Sequence, residues 1–351
     1  MTARIVLTLE DGEKIEGHSK GYIPDTPVSG EVVFNTSPVG YVEAITDPSY
    51  KGQILVFAFP EIGDYGVHPL WMESDRPQVS AVVVSSLTEP RKNIQASQGL
   101  RDFLSAHKVP YIEGVDTRQL VHRIREKGTF LGAIHRADQA FEGPFYDPNE
   151  HFIHLSVCVR QPMVVKQASP MVVVVDCGVK RAIISNLIAN GLGVTLVPCD
   201  FDFTAMDFDG LVLSNGPGNP RQCVPVIERL PIAIKRGKPV FGVCLGQQLL
   251  ALSANAQVYK LPYGHRGQNQ PCMDIKTGRA MVTSQNHGWA VDPKGLPHDW
   301  EVTFVNLNDD SVEGIGHIGM PVSAVQFHPE ARPGPLDSLG LFRTFADKVR
   351  G

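Results

Sequence analysis

The sequence predicts an α/β protein, with a C-terminal, mostly parallel sheet covered by helices on both faces and a mixed α+β domain before it. Two observations carry this. From Met171 onward, short β-branched or apolar runs alternate with helical stretches, the pattern of parallel strands buried on both faces by crossover helices. Upstream, strand and helix patterns mix without that alternation, and the stretches Asp138 to Glu150 and Gln161 to Pro170 have no periodicity. The 351 residues therefore divide near 150–170, at roughly 100–200 residues per domain. The expected domains are 1–160 and 171–351.

In the N-terminal half, Met1 to Glu10 alternates like a strand and lacks the apolar core of a signal peptide. Asp11-Gly12 is a hairpin turn. Gly30 to Thr36 reads as a strand. Gly40 to Tyr50 is polar and turn-rich, with Asp47-Pro48 favouring a turn, so a surface loop is expected. Strands follow at Gln53 to Phe59 and Val79 to Val84, then helices at Ile94 to His107 and Asp116 to Lys127, the second capped by Asp116 or Thr117. This half alone points to no chemistry.

The second half reads as strand Val172 to Val175, helix Lys180 to Asn190 stopping at Gly191, and strands Val194 to Pro198 and Leu211 to Leu213. Helix Val224 to Lys235 then leads to strand Val240 to Val243 and helix Leu245 to Ala256. In such sheets ligands collect at the carboxyl ends of the strands, and the motifs below all fall there.

Composition narrows the function classes. A net charge of -5 argues against a general nucleic-acid binder, which needs a basic face. The longest apolar run, Met171 to Val175, is far short of the ~20 residues of a membrane helix. Cys158, Cys177, Cys199, Cys223, Cys244 and Cys272 form no C-x-x-C pair, so neither a zinc site nor a disulfide framework is suggested. A reduced, cytoplasmic protein is expected. No P-loop or G-x-G-x-x-G nucleotide motif is present.

Cys244 stands where strand turns into helix, with Gly242 two residues before it and Gly246 two after. This is an elbow pattern, in which a tight turn pushes one reactive side chain out of the sheet and a Cβ at either glycine would collide with its neighbours. The helix N-terminus behind it favours thiolate chemistry, although a lone cysteine more often packs as a small hydrophobe. Ser214-Asn215-Gly216-Pro217-Gly218-Asn219-Pro220 follows a strand and reads either as an ordinary turn or, beside the elbow, as a loop with exposed N–H groups. One of those, with the N–H of Leu245, would make a two-donor oxyanion hole. Val322 to Phe327 delivers His328, and Glu330 two residues on lies on the same side of an extended chain. Nucleophile, base and orienting carboxylate thus occur in the order Cys, His, Glu. Gly264 to Pro271 and Thr283 to Val291 read as polar loops, from which Asn286 and the backbone around Gly288 and Trp289 could bind a small polar substrate. His287 competes with His328 as base but has no adjacent carboxylate.

With GVCLGQQ, NGPGNP and FHPEA in view, the chain resembles class I (triad-type) glutamine amidotransferases. GEVVFNTSPVGYVEAITDPSYKGQI, DCGVKRAI, GHRGQNQP and SQNHGWAV narrow the resemblance to the small, glutaminase chains of carbamoyl-phosphate synthases, from about residue 30 to 331. The resemblance implies Cys244 as nucleophile, His328 as base, Glu330 as its partner, and Leu245 and Gly218 as oxyanion-hole positions. It implies glutamine binding by Ser49, Gly216, Gly218, Leu245, Gln248, Asn286, Gly288 and Trp289, with Ser49 bringing the first domain to the site. Gln247 replaces a usual His, Trp289 a usual Phe, and Arg181-Ala182 a usual Arg-Asn after Lys180. The implied reaction is hydrolysis of L-glutamine, with ammonia passed to a separate large synthetase chain. That chain would make carbamoyl phosphate from bicarbonate and ATP for arginine or pyrimidine biosynthesis. No cofactor or metal is expected in this chain, ATP and Mg or K ions belonging to the large one, and neither nucleic acid nor membrane is an expected partner. The alternatives are a glutaminase for another synthetase, a stand-alone γ-glutamyl hydrolase, or a non-catalytic regulatory subunit.

Overall fold

A computed structural model describes residues 2–89, 93 and 95–351. It divides into two compact units, Met1–Glu150 and His151–Gly351. The boundary lies earlier than the expected 160, because residues after 150 are tied into the second unit. Val159 N–H donates to Asp176 Oδ2 at 2.8 Å. Met163–Lys166, inside a stretch read as irregular, forms a strand antiparallel to Gly193–Pro198.

The first unit is built on a seven-stranded mixed sheet in the order Lys14–Ser19, Ala3–Leu9, Phe130–Arg136, Val28–Asn35, Gln53–Phe57, Ala81–Val83, Tyr111–Ile112. The first two strands form the hairpin around Gly12, whose φ of +89° explains the glycine. Leu100–Ala106 and Thr117–Lys127 form helices. The sequence pattern started the first of them at Ile94, which lies outside the described residues. Asp116 caps the second, accepting from Gln119 N–H at 2.9 Å.

Gly40 to Tyr50 is not the surface loop its polarity suggested. Tyr41–Thr46 is a helix and Pro48–Tyr50 a 3-10 turn, with Tyr41, Val42, Ile45 and Tyr50 buried in the core of this unit. Thr46 and Asp47 find partners within the segment. Thr46 Oγ1 donates to Val42 O at 2.7 Å, and Asp47 Oδ1 accepts from Ser49 N–H at 2.9 Å. Polar groups that find such partners bury without penalty.

The second unit is built on ten strands in the order Met163–Lys166, Gly193–Pro198, Met171–Asp176, Gly210–Leu213, Val240–Val243, Val322–Val325, Val312–His317, Trp300–Asn306, Val258–Asp274, Ala280–Val291. The second to sixth are parallel. Alternation along them feeds two cores. Val173, Val175, Leu211 and Leu213 face one, with Leu230, Leu249 and Leu250 of helices Val224–Ile234 and Leu245–Ser253. Val172, Val174, Val212 and Phe241 face the other, with Ile183, Leu187, Phe342 and Phe345 of helices Arg181–Ala189 and Gly340–Arg350. Helices on both faces are what the β-branched runs required.

Two sequence expectations fail here. The helix after Cys244 ends at Ser253, short of Ala256, because Asn255 turns left-handed with φ +63°. The polar stretches Gly264 to Pro271 and Thr283 to Val291 are not loops but parts of the long strands Val258–Asp274 and Ala280–Val291, paired antiparallel with two register shifts. Glycine and polar side chains lower strand propensity, but cross-strand pairing decides.

The elbow depends on both glycines. A Cβ on Gly246 would stand 2.4 Å from Leu213 O, and one on Gly242 would stand 2.8 Å from Gly246 O and 3.0 Å from the Ala324 Cβ. These contacts are mostly with backbone, which cannot rotate away. Gly246→Ala is therefore expected to lower stability in urea unfolding by about 1–3 kcal/mol. An unchanged midpoint would mean that the helix start shifts freely.

Candidate active site

Cys244 closes the turn between Val240–Val243 and Leu245–Ser253 with φ +54° and ψ −103°. Its N–H donates to Val325 O at 2.8 Å, and its carbonyl accepts from Gln247 N–H at 3.0 Å. The thiol is 2 % exposed and donates to Asn286 O at 3.6 Å. Gln326 Nε2–H donates to the same sulfur at 3.5 Å. Leu245 is the first helical residue, so its N–H has no acceptor within the helix. A Cβ on Gly216 would fall 2.8 Å from Leu245 Cδ2 and 2.3 Å from Cys177 O, so that loop lies directly against the elbow. Ser214 and Asn215 fix it from the neighbouring strand end, accepting from Cys177 N–H at 2.9 Å and Lys180 N–H at 3.0 Å. Gly218, in the same loop, has φ +84°.

His328 follows the strand Val322–Val325, the parallel neighbour of the elbow strand. Its N–H donates to Ser284 O at 2.8 Å. Its Nδ1 lies 2.6 Å from Glu330 Oε1, while Nε2 is buried without a hydrogen-bond partner. Lys180 Nζ donates to the same Glu330 oxygen at 2.7 Å and also to Arg332 O. All three ionisable side chains are buried. Burial disfavours a charged His328 and Lys180 repels it, but the charge and hydrogen bond of the Glu330 carboxylate, with the nearby Cys244 thiol, together outweigh both and lift the imidazole to about 10. Burial likewise opposes the Glu330 carboxylate, yet Lys180 and His328 together hold it down to about 2.

His287 is placed differently. Its Nδ1 donates to Trp289 O at 2.8 Å and its Nε2 lies 3.1 Å from Gln285 Oε1. Burial and the nearby cationic side chains His265 and Arg266 push its pKa well below the usual range. It is tied into the strand rather than aimed at the sulfur. Among the described residues, His265, His287 and Glu313 bring metal-ligand atoms within 4.8 Å of one another. The His265 nitrogens face Asp309 at 2.9 Å and Glu313 at 3.5 Å, an arrangement that already satisfies them in an ion network running from buried Glu313 to exposed Asp309.

The other expected residues fall on two elements. Asn286, Gly288 and Trp289 lie on the strand Ala280–Val291. Gln248, one turn into the elbow helix, donates from Nε2 to Trp289 O at 3.0 Å and Gln326 Oε1 at 3.1 Å. The Trp289 ring carries Arg221 on its face at 5.0 Å. Gln247, the departure beside it, points away from the sulfur and donates to Val312 O at 3.3 Å. Ser49 is buried in the first unit. The sequence reading had no part for Gln326. Its position two residues before His328 was the available signal, since in a strand those side chains share a face.

A strand-to-helix cysteine beside a strand-end His–Glu pair on a doubly covered parallel sheet defines a class, and the family models agree with it. Residues 173–348 match glutamine amidotransferase class-I, and residues 7–134 match the carbamoyl-phosphate synthase small chain, CPSase domain. The chain belongs to the carbamoyl phosphate synthase small-chain family. It is 44% identical to the carbamoyl phosphate synthase arginine-specific small chain of Aspergillus fumigatus, across 99% of this chain and 80% of that one. It is 43% identical to the multifunctional protein CAD of Squalus acanthias, across 98% of this chain but 16% of that protein. Against the mitochondrial carbamoyl-phosphate synthase [ammonia] of Aquarana catesbeiana it is 42% identical, across 98% of this chain and 24% of that protein. The chain thus spans a small part of the two long relatives and most of the fungal one.

The charge array has a pH signature. His328 has a raised pKa, so its contribution to stability is complete below its unfolded value and is lost as pH rises towards about 10. Glu330 has a lowered pKa, so its contribution is complete above its unfolded value and is lost as pH falls towards about 2. The stability advantage of wild type over His328→Asn in urea unfolding should therefore be largest between about pH 4.5 and 6.5 and shrink through the alkaline range. A difference independent of pH would contradict the pairing.

Proposed function

We propose that this chain hydrolyses the side-chain amide of L-glutamine at Cys244 and supplies the ammonia to a separate large synthetase chain that makes carbamoyl phosphate from bicarbonate and ATP. The observation that supports this most is the elbow cysteine beside an imidazole whose Nδ1 is 2.6 Å from a buried carboxylate. A cationic His328 next to the sulfur favours thiolate attack on the amide carbon. The carbonyl electrons move to oxygen, which the N–H groups of Leu245 and Gly218 receive. When the tetrahedral species collapses, the C–N bond breaks and His328 gives its proton to the leaving nitrogen, releasing ammonia and a γ-glutamyl thioester. Neutral His328 then takes a proton from water, hydroxide adds to the thioester, and glutamate leaves as the sulfur is restored. Glu330 keeps the imidazole oriented with Nε2 towards the sulfur, and Lys180 keeps Glu330 ionised. Gly216, Gln248, Asn286, Gly288 and Trp289, all of the second unit, are assigned to glutamine binding.

Ammonia released into bulk water near neutral pH is protonated and loses its nucleophilicity, so this reaction needs a partner that receives it directly. The match of residues 7–134 to the small-chain domain supports that partner being a synthetase. All six cysteines are free thiols, which suits a reducing compartment, and we place the chain in the cytoplasm. Among the described residues no helix is long and apolar enough to cross a membrane.

Two experiments test these roles. His328→Asn should abolish thioester turnover while His287→Asn keeps the chemical step, and the reverse outcome would exchange their roles. Cys244→Ser should lower glutamine hydrolysis by several orders of magnitude, comparable to the ~10⁶ lost on deleting a nucleophile elsewhere. The complex of that variant with the large chain should still form carbamoyl phosphate from added ammonia and ATP. Retained glutamine-dependent synthesis would remove Cys244 as nucleophile. Loss of the ammonia-dependent reaction in an assembled complex would give this chain a direct part in synthesis.

A further inference from the structure

Gln326 has no part in the steps above, yet it touches the reacting atom. The residue is fully buried and is held at three points. Its backbone N–H donates to Glu313 O at 2.8 Å, its Nε2 reaches Cys244 Sγ at 3.5 Å, and its Oε1 lies 3.1 Å from Gln248 Nε2. Which end of the amide faces the sulfur follows from chemistry. Trp289 O, a backbone carbonyl, only accepts, so the Gln248 atom 3.0 Å from it is the NH₂ group. That NH₂ also faces Gln326, whose nearer atom must then be oxygen. The remaining end, the NH₂ of Gln326, points at Cys244.

We propose that Gln326 is a further catalytic residue, whose amide N–H holds the Cys244 sulfur and stabilises its negative charge, with Gln248 fixing the orientation of that amide. The proposal rests on Cys244 being the nucleophile. A buried anion needs donors, and His328 is an imperfect one because it also gives its proton away. An amide N–H has no proton to lose near neutral pH, so it stabilises the sulfur without quenching it. The bond serves twice, once when the thiolate waits for glutamine and again when water displaces it from the thioester. Between those moments the sulfur is bonded to carbon and carries little charge, so the interaction is strongest where sulfur is anionic.

The test compares two substitutions in the full chain. Gln326→Met keeps the length and removes the donor. Gln326→Glu keeps an acceptor for Gln248 and places a carboxylate oxygen against the sulfur. The measurement is the rate of iodoacetamide alkylation at Cys244, followed by mass spectrometry of its peptide from about pH 6 to about pH 9, together with kcat and KM for glutamine hydrolysis. The other titrating groups around the sulfur are His328 with Glu330 and Lys180 behind it, and His287 next to Asn286 with His265, Arg266 and Glu313 beyond, and both variants keep all of them in place. In Gln326→Met, alkylation at neutral pH and kcat should both fall roughly tenfold, the alkylation profile should move to higher pH, and KM should stay within about threefold. Gln326→Glu should lose more in ionised form, although it preserves the contact with Gln248.

A residue that merely supports Gln248 predicts the opposite order, with Gln326→Glu near wild type and Gln326→Met raised in KM. That order, or an alkylation profile unmoved in both variants, overturns the proposal. If one variant does not fold, the alkylation profile of the other decides. Cys244→Ser in the same assays separates the two readings. Glutamine hydrolysis that survives it removes the nucleophile and this proposal with it, whereas an essential Cys244 with an unmoved profile removes Gln326 alone.

Discussion

Cys244 occupies a backbone conformation, φ +54° and ψ −103°, that a Cβ normally forbids at a cost of order 1–3 kcal/mol. It persists because its surroundings leave the chain no other route. The N–H is fixed to the neighbouring strand at Val325, the carbonyl begins the next helix, and the glycines on either side admit backbone as close as 2.4 Å to where a side chain would begin. One strained residue thereby directs its sulfur towards the sheet's carboxyl edge, within reach of Gln326 and Asn286. The loop carrying Gly216 fits only because the elbow helix starts where it does. The rest of the site is arranged around this turn.

The second constraint is charge. Lys180, His328 and Glu330 are removed almost entirely from water, and burying any one alone would cost several kcal/mol. Together, with the imidazole protonated, they sum to a single positive charge. In the proposed reaction, an anion on the reacting side would bring that sum to zero, whether the sulfur before attack or the oxygen after it. The array therefore suits each charged stage of the reaction without itself moving.

Much of this was legible in the sequence because the signals were local. Gly242, Cys244 and Gly246 specify a turn within five residues, and His328 and Glu330 stand two residues apart, although a turn at Pro329 and Glu330 brings them together rather than the extended segment expected. The β-branched runs specify a sheet covered on both faces. What the sequence concealed depended on distant partners. Gly40 to Tyr50 looked like surface because its polar atoms bond one another inside the core of the first unit. Gly264 to Pro271 and Thr283 to Val291 looked like loops because their strand character comes from pairing across a long hairpin. The ion pair between Lys180 and Glu330 joins residues 150 apart, a distance at which no spacing rule operates.

The groups at the reaction centre hang from three adjoining strands. Gly210–Leu213 carries the glycine loop, Val240–Val243 the cysteine and Val322–Val325 the histidine, all parallel and in hydrogen-bonded register. In the language of instruments, twisting of such a sheet is common-mode motion: all three mounts travel together and their separations hardly change. Alignment is thus insulated from twisting of the sheet, and for the same reason twisting it is a poor way to turn the site off. Asn286 and Trp289 are mounted on another frame, the hairpin Val258–Asp274 with Ala280–Val291, whose pairing is offset at two register shifts. An adjustment of the proposed pocket relative to Cys244 has its natural lever there.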